Sequence, residues 1–146
     1  MQRRTFLAVT GVSSTMASGA APAAPALYVL EQYFLKNGTQ GARIAAFLQG
    51  GRMEAAARLR VAGPRIVLQA LVAPHLPQVA VVTAYGSMEE MRAGRAALAA
   101  DAKYRAALAQ WEAGDEAPYE SYAESLLEAT PYAPALVDPV DRKSVV

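Results

Sequence analysis

Residues 79–111, VAVVTAYGSMEEMRAGRAALAADAKYRAALAQW, limit what this chain can fold into more than any other stretch. They begin with a short apolar run rich in β-branched residues, 79–85, which is the composition of a largely buried strand. Gly86 breaks the run. Ser87 stands three residues before Glu90, a capping box in which the Ser hydroxyl accepts from the Glu90 N–H and the Glu carboxylate reaches back to the Ser87 N–H. A helix therefore starts here, with Met88, Met91, Arg95 and Leu98 at helical spacing. Asp101 is a second N-cap. Behind it Tyr104, Ala107, Leu108 and Trp111 fall at i, i+3, i+4 and i+7, one apolar face suited to core packing.

The remaining chain supplies partners for that unit. Residues 1–26 read as an export signal, because Arg3-Arg4-Thr5-Phe6-Leu7 resembles the twin-arginine motif. Stretch 5–20 is mildly apolar and interrupted by Gly11, Ser13 and Ser14, too short and too polar for a stable membrane span. Small residues at 18–20 and 21–23 offer cleavage sites. The expected location is periplasmic or extracellular, in a bacterial-type cell.

A first strand is predicted over 27–36, apolar on both faces, and Asn37-Gly38 ends it. Thr39 is placed to cap a helix whose buried face is Ile44, Phe47, Leu48, Gly51, Ala55 and Leu59. Gly50-Gly51 predicts a kink or split in that helix. Arg52, Arg58 and Arg60 are assigned to its solvated side. Gly63-Pro64 stops the helix. Strands over 65–72 and 78–85 read as an antiparallel hairpin joined by 73–77. Gly114 and Asp115 turn the chain after Trp111. The alternation over 122–129 favours a fourth strand, with a helix as the alternative for SYAESLLEA. Pro131, Pro134 and Pro139 exclude regular structure in the tail, an arm over 131–146.

The order β, α, β, β, α (split), β is the ferredoxin-like α+β pattern, a four-stranded antiparallel sheet with helices on one face. Tyr33 and Leu35 share one face of the first strand; Tyr28, Leu30 and Phe34 share the other. A monomer would leave one apolar sheet face open to water. The expectation is a homodimer whose two sheets close a shared α/β barrel.

Charge and cysteine content exclude several functions. Without Arg3 and Arg4 the chain has 12 basic and 13 acidic residues, which offers no attraction to nucleic acid or an anionic membrane. There is no cysteine, hence no disulfide, thiolate metal site or thiol catalysis. No metal site and no cofactor are expected.

Several short motifs resemble the NIPSNAP family of the dimeric α/β-barrel superfamily. They are Leu30-x-x-Tyr33-x-Leu35-Lys36-x-Gly38, then Tyr85-x-Ser87-x-x-Glu90-x-Arg92, then Arg95-Ala-Ala-Leu98 and Asp101-x-x-Tyr104. Glu124-Ser125-Leu126-Leu127 with Pro131 behind it resembles the end of the family domain, so the likeness covers about 28–134, and the domain is placed at 27–130. Glu31 stands where that family usually has arginine, and Asn37 where it usually has proline. The resemblance implies a dimeric ferredoxin-like domain and leaves the activity open, because this fold hosts enzymes and non-enzymes alike.

Candidate ligand-pocket residues are Tyr33, His75, Tyr85 and Trp111, arranged about an apolar cavity with few polar groups. His75, the chain's one histidine, lies in the loop between two prolines. No paired acid and base stand in sequence reach. The reading is therefore a non-catalytic domain that binds a small apolar or aromatic molecule or a protein partner. The alternative is a cofactor-independent monooxygenase or haem-handling enzyme of the same superfamily, which would draw on Asn37, His75 and Trp111.

Overall fold

The strand predicted first pairs on both sides, and this sets the architecture. In the computed structural model, which describes residues 25, 27–61, 65–133 and 136, β1 (Leu27–Phe34) lies between β3 (Gln78–Tyr85) and β4 (Ser121–Glu128). β2 (Arg65–Gln69) completes the sheet in the order β2-β3-β1-β4, and every pairing is antiparallel. With the helices on one face this is the ferredoxin-like fold. The expected export signal, the Gly63-Pro64 helix stop and most of the C-terminal arm lie outside the described residues.

Side-chain alternation divides β1 cleanly. Val29, Glu31, Tyr33 and Leu35 are buried under the helices, while Tyr28, Leu30, Gln32 and Phe34 are half-buried on the open face. The register carries this division across the sheet: Val79, Val81, Thr83 and Tyr85 join the helix side, as do Tyr122 and Glu124. Strands β1 and β2 are shorter than expected. β2 is an edge strand, and after the Ala70 N–H bonds the Gln78 carbonyl the chain leaves the ladder, with Leu71 and Val72 about nine-tenths exposed. The backbone at Gly38 has φ +122°, a conformation only glycine adopts without strain, which is why Asn37-Gly38 ends β1.

The expected split helix is α1 (Gln40–Ala46), a π-helical segment (Phe47–Met53) and α2 (Glu54–Leu59). Thr39 occupies the N-cap, but its hydroxyl donates to Glu116 instead of capping its own helix. The split falls at the two glycines, where the helix that carries Ala107 crosses. A Cβ on Gly51 would stand 3.0 Å from the Ala107 Cβ, whereas no atom of the described residues lies within 4 Å of one on Gly50. Gly50→Ala is expected to stabilise the protein by about 0.5–1 kcal/mol through helix propensity. Gly51→Ala is expected to destabilise it by about 1 kcal/mol, since crowding outweighs the same gain. Urea midpoints measured at constant m-value check both, and equal shifts for the two would refute the close approach.

Helices α3 (Met88–Ala100) and α4 (Ala102–Glu112) have the caps expected of them. Ser87 Oγ accepts from the Glu90 N–H, and Asp101 Oδ1 accepts from the Tyr104 N–H. One detail differs: the Glu90 carboxylate reaches back to the Gly86 N–H, one residue earlier than the Ser87 N–H. Asp101 also receives a bidentate pair from Arg58. That guanidinium, followed by the Tyr104 N–H, lowers the Asp101 carboxyl from its ordinary value to about 2.

The main core joins Tyr33, Leu35, Ile44, Phe47, Leu48, Val81 and Trp111. The α4 stripe packs into it as its spacing requires: Tyr104, Ala107 and Leu108 flank the cluster and Trp111 enters it. Phe47 and Trp111 stack with centroids 4.5 Å apart and planes within 2°.

Candidate functional site

Between the helix side of the sheet and α3, α4 and the π-helical segment lies a cavity of about 510 Å³. Its depth is formed by buried Val29, Glu31, Tyr33, Phe47 and Trp111. Tyr85 and Tyr104 form walls, and exposed Arg95, Arg105 and Glu124 stand at its mouth.

At its base is a polar cluster that the alternation of β1 makes unavoidable. Glu31 occupies an inward position between Val29 and Tyr33, and its carboxylate is almost wholly buried. Arg52 reaches it from the π-helical segment with a bidentate pair, Nη1 to Oε1 at 2.8 Å and Nη2 to Oε2. The Tyr33 hydroxyl donates to Glu31 Oε1 and accepts from Arg52, both at 3.3 Å. Burial opposes protonation of Arg52, yet its hydrogen bonds and charge contact with Glu31 raise its pKa. Burial, then the Glu31 charge, pushes the Tyr33 hydroxyl well above the ordinary phenol range.

Arg52 is thus not on the solvated side of its helix, as its sequence position implied. A carboxylate this deep requires a cation, and Arg52 is the arginine within reach. Its signal in the sequence was faint: it falls four residues after Leu48, at the border of the apolar stripe. Glu31 had a plainer one, an acid at an inward position of an otherwise apolar strand face.

The β1–β4 register places Glu31 opposite Glu124 and Tyr33 opposite Tyr122. Two carboxylates facing each other across a ladder repel. Each has an arginine of its own: Arg95 Nη2 donates to Glu124 Oε1 at 2.8 Å. The Tyr122 hydroxyl lies 2.9 Å from Glu124 Oε2 and 3.1 Å from Glu31 Oε1, and its single proton serves one of them at a time. Burial followed by the Glu31 charge raises the Tyr122 hydroxyl above its usual range. Partial burial pushes the Glu124 carboxyl upward, but the hydrogen bonds from Arg95 and Tyr122 prevail and hold it below its ordinary value.

Of the four pocket candidates, Tyr33, Tyr85 and Trp111 line this cavity and His75 does not. His75 Nε2 lies 3.2 Å from the Leu35 carbonyl and 3.2 Å from Glu120 Oε2, with the ring edge-on to Phe34. It fastens the β2–β3 loop to the end of the sheet. Loop 73–77 connects the far end of the hairpin, so the imidazole cannot reach the cavity interior. Asn37 is an exposed residue of the loop after β1. Glu31, Arg52, Arg95, Tyr104, Arg105, Tyr122 and Glu124 also belong to the site and were not among the pocket residues expected from the sequence.

A second cavity, about 550 Å³, lies beside the edge strand between α1, the π-helical segment and β2, and its walls include Ile44, Leu48, Met53 and Val67. Among the described residues its lining holds no charged side chain, and its polar side chains are those of Gln49 and Gln69. Among the described residues, no group of three or more His, Asp or Glu is placed to hold a metal ion. No helix of the described residues is long and apolar enough to cross a membrane.

No protein-family model matches the sequence, and no curated protein is similar to it by sequence. Solved structures do resemble the fold. A NIPSNAP family protein from Agrobacterium tumefaciens superposes with a TM-score of 0.62 at 19% identity, over 78% of this chain and 94% of that one. A dimeric protein of unknown function with a ferredoxin-like fold, from Bacteroides fragilis, gives 0.52 at 13% identity, over 70% and 95%. SnoaB, a cofactor-independent oxygenase from Streptomyces nogalater, gives 0.51 at 9% identity, over 73% and 94%. The chain therefore has a NIPSNAP-like, ferredoxin-like fold, and identities this low speak for the fold alone.

Proposed function

We propose that this chain is an exported, homodimeric NIPSNAP-like domain that binds a small aromatic molecule in the sheet–helix cavity without transforming it. The observation that carries the reading is the cavity itself, with Tyr33, Tyr85, Tyr104 and Trp111 around a base whose carboxylate is tied to Arg52. Aromatic walls offer a flat ligand offset or edge-on contacts. The ionic base keeps the cavity polar at one end, which orients a ligand. Both carboxylates of the site are held by arginines, so neither stands ready to take a proton from a bound molecule.

The homodimer in this proposal rests on the open sheet face. Leu68 and Leu127 are about half exposed there, beside half-buried Leu30, Phe34, Ile66 and Val82, and a second copy would cover them. The dimeric ferredoxin-like neighbour supports this reading. Export rests on Arg3 and Arg4.

The alternative, a cofactor-independent monooxygenase, has the likeness to SnoaB as its support and would use the same cavity as a reaction chamber. Haem handling fits the residues poorly, because His75 lies outside the cavity, the chain has no cysteine, and burial raises the hydroxyls of the lining Tyr33, Tyr85 and Tyr104, which disfavours the phenolate a haem iron would take.

Light scattering and calorimetry test the proposal together. The expected results are a mass of two chains and saturable heat with a naphthyl compound. A monomer at micromolar concentration would overturn the dimer, and no binding by neutral or charged naphthyl compounds would overturn the site. Turnover of a bound aromatic under oxygen would favour the oxygenase. Arg3→Lys with Arg4→Lys is expected to keep the chain inside the cell.

A further inference from the structure

We infer that the aromatic ligand of this cavity carries an anionic group, such as a carboxylate, which Arg105 receives at the mouth. The inference rests on the binding reading above and adds the ligand's charge class to it.

The charges of the lining carry it. Among the described residues five ionic side chains face the cavity: Glu31, Arg52, Arg95, Arg105 and Glu124. Four of them cancel in two pairs, Arg52 with Glu31 at the base and Arg95 with Glu124 at the mouth. Arg105 is left over. Its guanidinium has no hydrogen bond or ion pair among the described residues, although those of Arg43, Arg52, Arg58 and Arg95 each have one or more. The net charge of the lining is therefore +1, and the unmatched unit belongs to a group made only of donors. A guanidinium suits a carboxylate because two parallel N–H bonds meet its two oxygens.

The position of Arg105 on α4 supports the assignment. It follows Tyr104, a cavity wall, and precedes Leu108 and Trp111, which line the same cavity one and two turns further on. A flat ring held among Tyr85, Tyr104 and Trp111 would leave its substituent toward the exposed end, where Arg105 stands. The base cannot take that substituent, since Arg52 is already engaged by Glu31 and a second anion beside Glu31 would be repelled. The ligand is thus oriented with its apolar ring inward and its acid outward. A neutral isostere would keep the ring contacts and lose only the charge contact.

Calorimetry with 2-naphthoate and 2-naphthamide, which match in shape and differ in charge, tests this on the full mature protein. The expected result is about 10-fold tighter binding of the naphthoate at low salt, an effect of the size expected for one charge contact near the surface. Arg105→Gln should abolish the preference by bringing naphthoate affinity down to that of naphthamide, and Arg105→Lys should retain most of it. Arg105 is exposed, so these variants are expected to fold normally, and a thermal melt confirms it. Equal affinity for the two probes in the wild type, or a preference that survives Arg105→Gln, would overturn the anionic assignment and leave the binding reading standing. Failure of both probes to bind would remove the binding reading itself and this inference with it.

Discussion

Arg52→Met is expected to lower the free energy of unfolding by about 3 kcal/mol, the size found when a buried ion pair loses one partner. The Glu31 carboxylate would stay beneath the helices with only the Tyr33 and Tyr122 hydroxyls to solvate it. The loss belongs to the stranded charge more than to the pair. Glu31→Gln combined with Arg52→Met should therefore recover stability to within about 1 kcal/mol of the wild type. Urea denaturation of the three proteins at pH 7 measures this. A loss below about 1 kcal/mol for the single variant would mean the pair behaves as an exposed one, and the polar base of the cavity would need another description.

Trp111→Ala is expected to cost about 4 kcal/mol, as for other large aromatic truncations in a core. The indole stacks on Phe47 and meets Tyr33 edge-on at 5.9 Å, so its removal opens the cavity floor into the main core. Trp111→Phe should cost only about 1 kcal/mol. The Trp111 Nε1 hydrogen is buried without a hydrogen-bond partner among the described residues, and phenylalanine removes that donor along with part of the ring. Thermal and urea unfolding of both variants give the comparison. Similar losses for the two would show that the stacking geometry, and not simply a filled volume, holds the core together.

The two variants probe one object, since the same side chains serve as core and as cavity lining. Tyr33 shows this best: its ring packs against Trp111, Tyr119 and Tyr122, while its hydroxyl belongs to the Glu31–Arg52 cluster. Periodicity marked Tyr33, Tyr85 and Trp111 because inward positions on strands and helix stripes are set by local spacing. It has no hold on His75, a candidate only for its place in a loop, because a loop's direction depends on what it meets. Here that is Glu120 and the Leu35 carbonyl, 45 and 40 residues away in the chain.

The sequence by itself determined the elements and their order. Strand alternation, the Ser87 and Asp101 caps, the Gly50-Gly51 break and the Asn37-Gly38 turn act over at most a few residues, so each could be read where it stands. From that order the antiparallel sheet with helices on one face followed. The tertiary structure alone decided which charges meet. Glu31 faces Glu124 because of the β1–β4 register, Arg52 reaches Glu31 because the π-helical segment crosses above β1, and Arg95 pairs with Glu124 across α3 and β4. An ion pair forms between groups brought within a few ångströms of each other, and that distance is fixed only when separate elements pack.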